Sequence, residues 1–164
     1  MLGIGSNNYT VLKTAEGNRE AIDIDDLQKN IESLNGEPFI LISSAGTVNT
    51  ADFDDFAAIA KLREKYNFWW HIDGAFGGFA AVSEKYKHYV KGWEGADSIT
   101  IDCHKWLNVP YESAFYLVKK EHINLQIETV IAQVDQQRKD FDEKFEIKRK
   151  KITMGDDLAP GVLK

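Results

Sequence analysis

Apolar residues along the chain follow two spacings, one typical of buried strands and one typical of helices. Three runs are almost continuously apolar or β-branched, namely Phe39–Ser43, Phe68–Ile72 and Ser98–Ile101. Such runs predict strands of a parallel sheet that is covered on both faces. A fourth run, Ala114–Val118, follows after a short connection across Pro110. A connection this short favours an antiparallel neighbour, because parallel strands need a longer crossover.

Before the first strand, and again between the first and the second, apolar residues recur at every third or fourth position. This spacing predicts helices at Asp25–Leu34 and Asp52–Tyr66. The second helix joins two strands into a β-α-β unit, for which a right-handed crossover is expected. Shorter elements are predicted as a strand at Tyr9–Lys13 and a helix at Ser83–Val90. The pattern as a whole predicts an α/β fold with a mostly parallel sheet, one antiparallel strand and helices on both faces.

Composition narrows the classes of function. With 164 residues, of which 43% are hydrophobic and 28% charged, the chain is long enough for a domain with a sizeable core. The net charge of −6 argues against nucleic acid as the main partner. No apolar stretch is long enough to span a membrane, and no signal peptide is visible. The single cysteine fits a reducing compartment, so we expect a cytoplasmic protein.

The end of the third predicted strand carries a lysine with unusual neighbours. Lys105 lies between His104 and Trp106, where the run Ser98–Ile101 gives way to polar residues. A lysine at this position is poorly solvated, and it can lose its proton and act as a nucleophile. The alternative is that Lys105 leaves the sheet edge and reaches water.

The second predicted strand ends in a carboxylate and a glycine-rich turn. His71 and Asp73 are two residues apart, so on a strand they point to the same face. Open α/β sheets bind ligands at this end of their strands, and a buried carboxylate there needs a cationic partner or several donors. Gly74, Gly77 and Gly78 permit either a close approach of the backbone or a positive φ.

Three motifs together carry a resemblance to a known family. They read AGTVNTADFD at Ala45–Asp54, HIDGAFGG at His71–Gly78 and DSITIDCHKW at Asp97–Trp106. In order and spacing they resemble the pyridoxal-phosphate group II decarboxylases, the family of the glutamate and aromatic amino-acid decarboxylases. The resemblance extends more loosely from Gly3 to Lys119. It implies a partial large domain of the fold-type-I pyridoxal-phosphate transferase fold.

The resemblance also implies a cofactor, a substrate and a site. The cofactor is pyridoxal 5′-phosphate, which Lys105 carries as an internal aldimine and whose pyridine nitrogen pairs with Asp73. The other implied site residues are Ala75 on the face of the ring, Thr47 in the pocket wall, and His104 and Asp102 near the phosphate and the lysine. The implied substrate is a small molecule, an amino acid, and members of the family work as homodimers.

Two other interpretations remain open at this point. The pairs His71-x-Asp73 and Asp102-x-His104 each place two metal ligands on one predicted strand face, which is compatible with a metal-dependent hydrolase. That interpretation leaves Lys105 without a role. The second alternative is a non-catalytic remnant or assembly subunit that keeps the motifs without turning over substrate.

Members of the family are far longer than this chain. We therefore expect residues 1–125 to be the central part of a large domain, and 126–164 to be a charged helical extension with a loose tail. The family's upstream phosphate-binding turn and ring-stacking histidine have no counterpart in the sequence. A sheet without its outer strands exposes apolar edges unless a partner covers them. We thus expect a homodimer or an assembly with the missing segments.

Overall fold

A computed structural model describes residues 7–17, 19–123, 132 and 134–144 of the chain. The chain divides into two compact units, Met1–Lys119 and Lys120–Lys164. The first unit contains a sheet with its helices. In the second unit, residues 120–123 and 134–144 are helical, and the rest of the predicted extension lies outside the described residues.

The sheet has four strands, and their order in space is their order in the chain. They are β1 (Ile40–Ser44), β2 (Trp69–Asp73), β3 (Ser98–Asp102) and β4 (Ala114–Val118). The first three strands are parallel and β4 is antiparallel to β3. The predicted α/β fold with one antiparallel strand is confirmed.

Three helices accompany the sheet: α1 (Ile24–Ser33), α2 (Phe56–Arg63) and the single turn α3 (Cys103–Trp106). Short 3₁₀ turns occupy Gly78–Val82, Lys87–Val90 and Trp93–Gly95. Asp23 caps α1 by accepting from the backbone N–H groups of Asp25 and Asp26. Among the described residues, no helix has the length and apolar character needed to cross a membrane.

The helices α1 and α2 pack against one face of the sheet. Leu41 and Trp70 point to this face and join Phe56 of α2 in the buried core. The alternating positions of β1 point the other way, where Ile40 is 59% and Ile42 is 64% exposed. The sequence predicts helices on both faces, whereas in the described part of the chain the face with Ile40 and Ile42 is open.

Three predicted elements differ in extent or kind. The helix predicted at Asp52–Tyr66 is confined to Phe56–Arg63, because the residues before Asp55 form a loop that is tied to the segment before α1. The predicted strand Tyr9–Lys13 is absent, and the nearest pairing is a single bridge of Thr14 to Ile22. The helix predicted at Ser83–Val90 reduces to a 3₁₀ turn at its end.

Candidate functional site

The lysine and aspartate motifs meet at the carboxyl ends of β2 and β3. Asp73, the last residue of β2, pairs in register with Thr100 of β3, and Asp102 follows Thr100 by two residues. Asp73 and Asp102 therefore lie on the same face of the sheet. The Nζ atom of Lys105 lies 4.0 Å from the ring centroid of Phe76, three residues after Asp73. The side chain of Lys105 thus reaches the turn that follows the aspartate.

Lys105 is held between a carboxylate and an aromatic ring. It belongs to α3, which begins immediately after β3. Its Nζ lies 2.8 Å from Oδ2 of Asp102, and 24% of its side chain is exposed. The Asp102 carboxylate and the face of Phe76 both contact the amine of the lysine. The side chain is therefore held at the strand ends rather than extended into water.

His104 is fixed by contacts on both ring nitrogens. Its Nε2 lies 3.4 Å from Oδ2 of Asp102. Its Nδ1 lies 2.8 Å from the carbonyl oxygen and 3.2 Å from the backbone nitrogen of Ser113. The ring of Tyr111 lies against it with a centroid distance of 4.2 Å. Asp102 and His104 are predicted to lie on one strand. In the structure β3 ends at Asp102, and the turn of α3 brings His104 back to it.

Asp73 is exposed, and a turn fixes its orientation. Its Oδ1 accepts a hydrogen bond of 3.0 Å from the backbone N–H of Ala75. Its own carbonyl accepts from the backbone N–H of Ala45 at the end of β1. The half-buried Ala75 thus lies beside the carboxylate, at the edge of the sheet where Lys105 also ends.

His71 lies on the same face as Asp73, one pair earlier in the sheet. Its Nδ1 is 2.8 Å from Oγ of Ser98, and its Nε2 is 3.5 Å from Oγ1 of Thr100. Burial lowers the pKa of His71 below its usual value, and the carboxylate of Asp73 opposes this effect. His71 is therefore a mainly neutral imidazole near neutral pH.

The four residues of the metal-site alternative do not gather into a ligand set. They are His71, Asp73, Asp102 and His104. Among the described residues, no three of these four bring a ligand atom within 4.8 Å of one another. The arrangement gives no support to a metal-dependent hydrolase at this edge of the sheet.

Thr47 lies in the loop after β1, and its polar groups are used within that loop. Its Oγ1 accepts from the backbone N–H of Asp52 at 3.1 Å and lies 3.0 Å from Oγ1 of Thr50. Its backbone N–H donates to the carbonyl of Asp52. These bonds tie the loop to itself.

The glycines after Asp73 serve close packing of the chain on itself. Gly77 donates its N–H to the carbonyl of Ala45 at 2.7 Å. A Cβ at Gly77 would lie 2.5 Å from that carbonyl oxygen. Neither Gly74, Gly77 nor Gly78 has a positive φ, so the close approach, and not the unusual backbone conformation, requires glycine there.

Three residues at the site were not singled out from the sequence. Phe76 contacts Lys105, Ser98 contacts His71, and the backbone of Ser113 contacts His104. Phe76 lies inside the HIDGAFGG motif, so its position was a usable signal. The contacts of Ser98 and Ser113 depend on strand register and on the turn of α3, for which the sequence has no local signal.

The chain is similar to known proteins in sequence and in structure. Residues 8–158 match the family model described as the pyridoxal-dependent decarboxylase conserved domain. The aspartate 1-decarboxylase of Aliivibrio fischeri (strain ATCC 700601 / ES114) is 32% identical over 131 residues. That match covers 78% of this chain and 24% of the relative.

Solved structures are similar over the same region. The structure of Catharanthus roseus tryptophan decarboxylase in complex with L-tryptophan is 28% identical, with a TM-score of 0.67 over 76% of this chain and 27% of that one. The structure of Oryza sativa TDC with PLP is 25% identical, with a TM-score of 0.58 over 62% of this chain and 22% of that one. The chain thus spans about a quarter of the length of these relatives.

Proposed function

Because the chain belongs to the pyridoxal-dependent decarboxylase family, we propose that it provides the lysine and the aspartate of an amino-acid decarboxylase site. The observation that carries this proposal is the contact of Lys105 with Phe76, which joins the lysine motif to the turn after Asp73. When bound, pyridoxal phosphate supplies the electron sink that decarboxylation of an amino acid requires. Lys105 is the residue that bonds covalently to the aldehyde of the cofactor.

The residues at the strand ends have the chemistry that this cofactor needs. Lys105 offers an amine, and the exposed carboxylate of Asp73 has an oxygen available for a cationic ring nitrogen. Two unit charges about 4 Å apart attract by about 4 kcal/mol at an effective dielectric of about 20. An uncharged asparagine would accept a hydrogen bond there but would not hold a proton on the ring.

The neighbouring residues complete the proposed site. Asp102 holds the amine of Lys105 in place, and His104 contacts the same oxygen of Asp102. The small side chain of Ala75 leaves room for a flat ring beside Asp73, and Thr47 borders the same edge. His104 and Asp102 are also proposed to lie near the phosphate of the cofactor. Residues 1–125 form the part of the large domain that carries this site.

The rest of the enzyme is proposed to come from further polypeptide. The open face of the sheet, with Ile40 and Ile42 exposed, supports an assembly with segments that complete the domain. We propose that the complete enzyme is a cytoplasmic homodimer that acts on a small-molecule amino-acid substrate. The same open face favours a second candidate function, a non-catalytic remnant or assembly subunit that retains the motifs.

Covalent labelling tests the proposal. The purified chain is mixed with pyridoxal phosphate, reduced with borohydride and analysed by peptide mass spectrometry. We expect a yellow absorbance that borohydride bleaches and an adduct on the peptide that contains Lys105. Lys105→Ala should abolish the adduct, whereas Lys61→Ala, which removes an exposed lysine of α2, should leave it unchanged.

Two outcomes would contradict the assignment. Absence of an adduct in the folded wild-type chain, or an adduct that persists in Lys105→Ala, would reject cofactor binding through Lys105. A separate assay of carbon dioxide release addresses the two candidate functions. We expect little or no release from the isolated chain, and release at an ordinary enzymatic rate would exclude the remnant.

A further inference from the structure

A hydrogen-bonded chain of three side chains runs across the open face of the sheet. The indole N–H of Trp69 donates to Oγ of Ser98 at 3.0 Å, and Nδ1 of His71 lies 2.8 Å from the same oxygen. Ser98 is buried, with 3% of its surface exposed. We call this arrangement the Trp69–Ser98–His71 chain.

The chain of bonds determines which nitrogen of His71 carries the proton. An indole N–H only donates, so the oxygen of Ser98 accepts from Trp69. Within the described part of the protein, the acceptor that remains for the hydroxyl proton of Ser98 is Nδ1 of His71. A buried hydroxyl without an acceptor costs about 1–3 kcal/mol. Nδ1 therefore accepts, and the neutral ring carries its proton on Nε2.

The protonated nitrogen of His71, Nε2, faces the neighbouring residue pair of the sheet, which is formed by Asp73 and Thr100. In the register of β2 and β3, His71 pairs with Ser98, and Asp73 pairs with Thr100. Nε2 of His71 lies 3.5 Å from Oγ1 of Thr100, so the imidazole ring reaches from the His71–Ser98 pair to the Asp73–Thr100 pair. The partner of His71 on β1 is the uncharged Ile42. Asp73 is thus the charge that faces this side of the imidazole from the strands around it.

We propose that His71 is a positioning residue for Asp73, held by Ser98 in the tautomer that directs Nε2–H towards Thr100, which pairs with Asp73 across β2 and β3. This inference rests on the proposed function, in which Asp73 pairs with the cationic ring nitrogen of the cofactor. The imidazole N–H then gives the part of the sheet from which Asp73 projects a fixed polar neighbour. The carboxylate is then ready to hold a proton on the ring.

The tautomer is measured directly in the chain without cofactor. Long-range ¹H–¹⁵N correlation spectra distinguish Nδ1–H from Nε2–H, and His71→Asn identifies the His71 signals by their loss. We expect the Nε2–H form in the wild type and a shift towards the Nδ1–H form in Ser98→Ala. The matched control is Ser43→Ala, because Ser43 is also buried and accepts from the indole of Trp70 at 2.7 Å. This control should leave the His71 tautomer unchanged.

The interaction with Asp73 has its own measurement in the same chain. If the carboxylate faces His71, Asp73→Asn should lower the midpoint at which His71 titrates in NMR spectra. An unchanged midpoint, or an Nδ1–H tautomer in the wild type, would overturn the proposal. Neither result depends on whether the cofactor binds.

The consequence for the cofactor is tested with two substitutions of His71. The amide nitrogen of glutamine takes about the place of Nε2, whereas that of asparagine takes about the place of Nδ1. We expect His71→Asn to weaken binding of pyridoxal phosphate about tenfold, and His71→Gln to restore most of the loss. Equal loss in both variants would contradict a positioning role for Nε2–H. Absence of a Lys105 adduct in the wild type would instead reject the proposed decarboxylase site. The tautomer and the titration midpoint of His71, both measured without cofactor, would still decide the role of His71.

Discussion

Lys105 and His104 share one acceptor, Oδ2 of Asp102, at 2.8 and 3.4 Å. In the proposed site, the shared carboxylate would hold the amine in place and still release it for covalent chemistry. An ion pair of this kind, in a partly exposed position, is worth about 0.2–1 kcal/mol. It is strong enough to orient Lys105 and weak enough to be displaced.

We predict that Asp102→Asn makes Lys105 more reactive towards an amine-specific acylating reagent. The substitution removes the ion pair that holds the amine of Lys105 on Oδ2 of Asp102, so the amine meets the reagent more freely. The rate should rise by up to about fivefold, the factor that corresponds to about 1 kcal/mol. Mass spectrometry of the Lys105 peptide over a labelling time course measures this rate in the chain without cofactor.

The control for this prediction is another acid–lysine pair with the same spacing. Glu84 and Lys87 also lie three residues apart, with an N–O distance of 2.6 Å on the surface. Glu84→Gln should not change the labelling rate of Lys105. A rate in Asp102→Asn equal to or below that of the wild type would show that Asp102 does not restrain the amine.

His71 gives a prediction for the pH dependence of stability. Its pKa in the folded protein is lowered by burial, so protonation costs more in the folded than in the unfolded state. The contribution of His71 to the stability of the fold is therefore complete above its pKa in the unfolded chain, which is about 6.5. This contribution is lost as the pH falls through the lower pKa of the folded protein. We expect urea unfolding to show a smaller loss of stability from about pH 7.5 to about pH 5.5 in His71→Gln than in the wild type. An identical loss in both proteins would contradict the effect of burial.

Single residues differ in how much of their role the sequence reveals. Lys105 and Asp73 stand in local motifs, so their placement at strand ends could be predicted from the residues around them. The contacts of Ser98 and Ser113 could not, because they depend on which residues face each other across β2, β3 and β4. Their roles become visible only when the register is known.

The elements were predictable where burial alone decides the structure. The cores of all four strands follow from their apolar runs. The start of α2 did not follow from periodicity, because the carboxylate of Asp54 turns back instead of continuing the helix. It accepts from the backbone N–H of Ile22 and of Ser44, each at 2.6 Å. A tertiary contact thus overrides the local helical pattern.

We predict that Asp54→Asn destabilises the fold by about 1–3 kcal/mol. The buried carboxylate serves two backbone N–H groups, whereas an asparagine has one carbonyl oxygen and would turn its NH₂ group towards the other donor. Burial raises the pKa of Asp54 and the two N–H donors oppose this shift, so the donors hold the buried charge. Urea unfolding monitored by circular dichroism gives the change in free energy.

The neighbouring aspartate supplies the control. Asp55 caps α2 through the backbone N–H of Ala58, and asparagine is an equally good cap. Asp55→Asn should therefore change the free energy of unfolding by no more than a few tenths of a kcal/mol. Equal effects of the two substitutions would show that Asp54 has no special role in joining Ile22 to the end of β1.

At the scale of the whole molecule, the sheet has one packed and one open face in the described part of the chain. Leu41 is 5% exposed and its neighbour Ile42 is 64% exposed, although both are large aliphatic residues of the same strand. The sequence could not distinguish them, because FILIS is apolar at every position but the last and predicts a strand covered on both sides. The described residues therefore leave the apolar face with Ile42 uncovered.

Adjacent lysine substitutions on β1 test this asymmetry. Ile42→Lys should leave the free energy of unfolding within about 0.5 kcal/mol of the wild type, because the new charge lies in water. It should also reduce self-association in sedimentation velocity, because it interrupts the exposed apolar surface. Leu41→Lys should instead prevent folding, since it places an unpaired charge in the core. If Ile42→Lys were as destabilising as Leu41→Lys, the face with Ile42 would be covered in solution, by a second copy of the chain or by residues outside the described ranges.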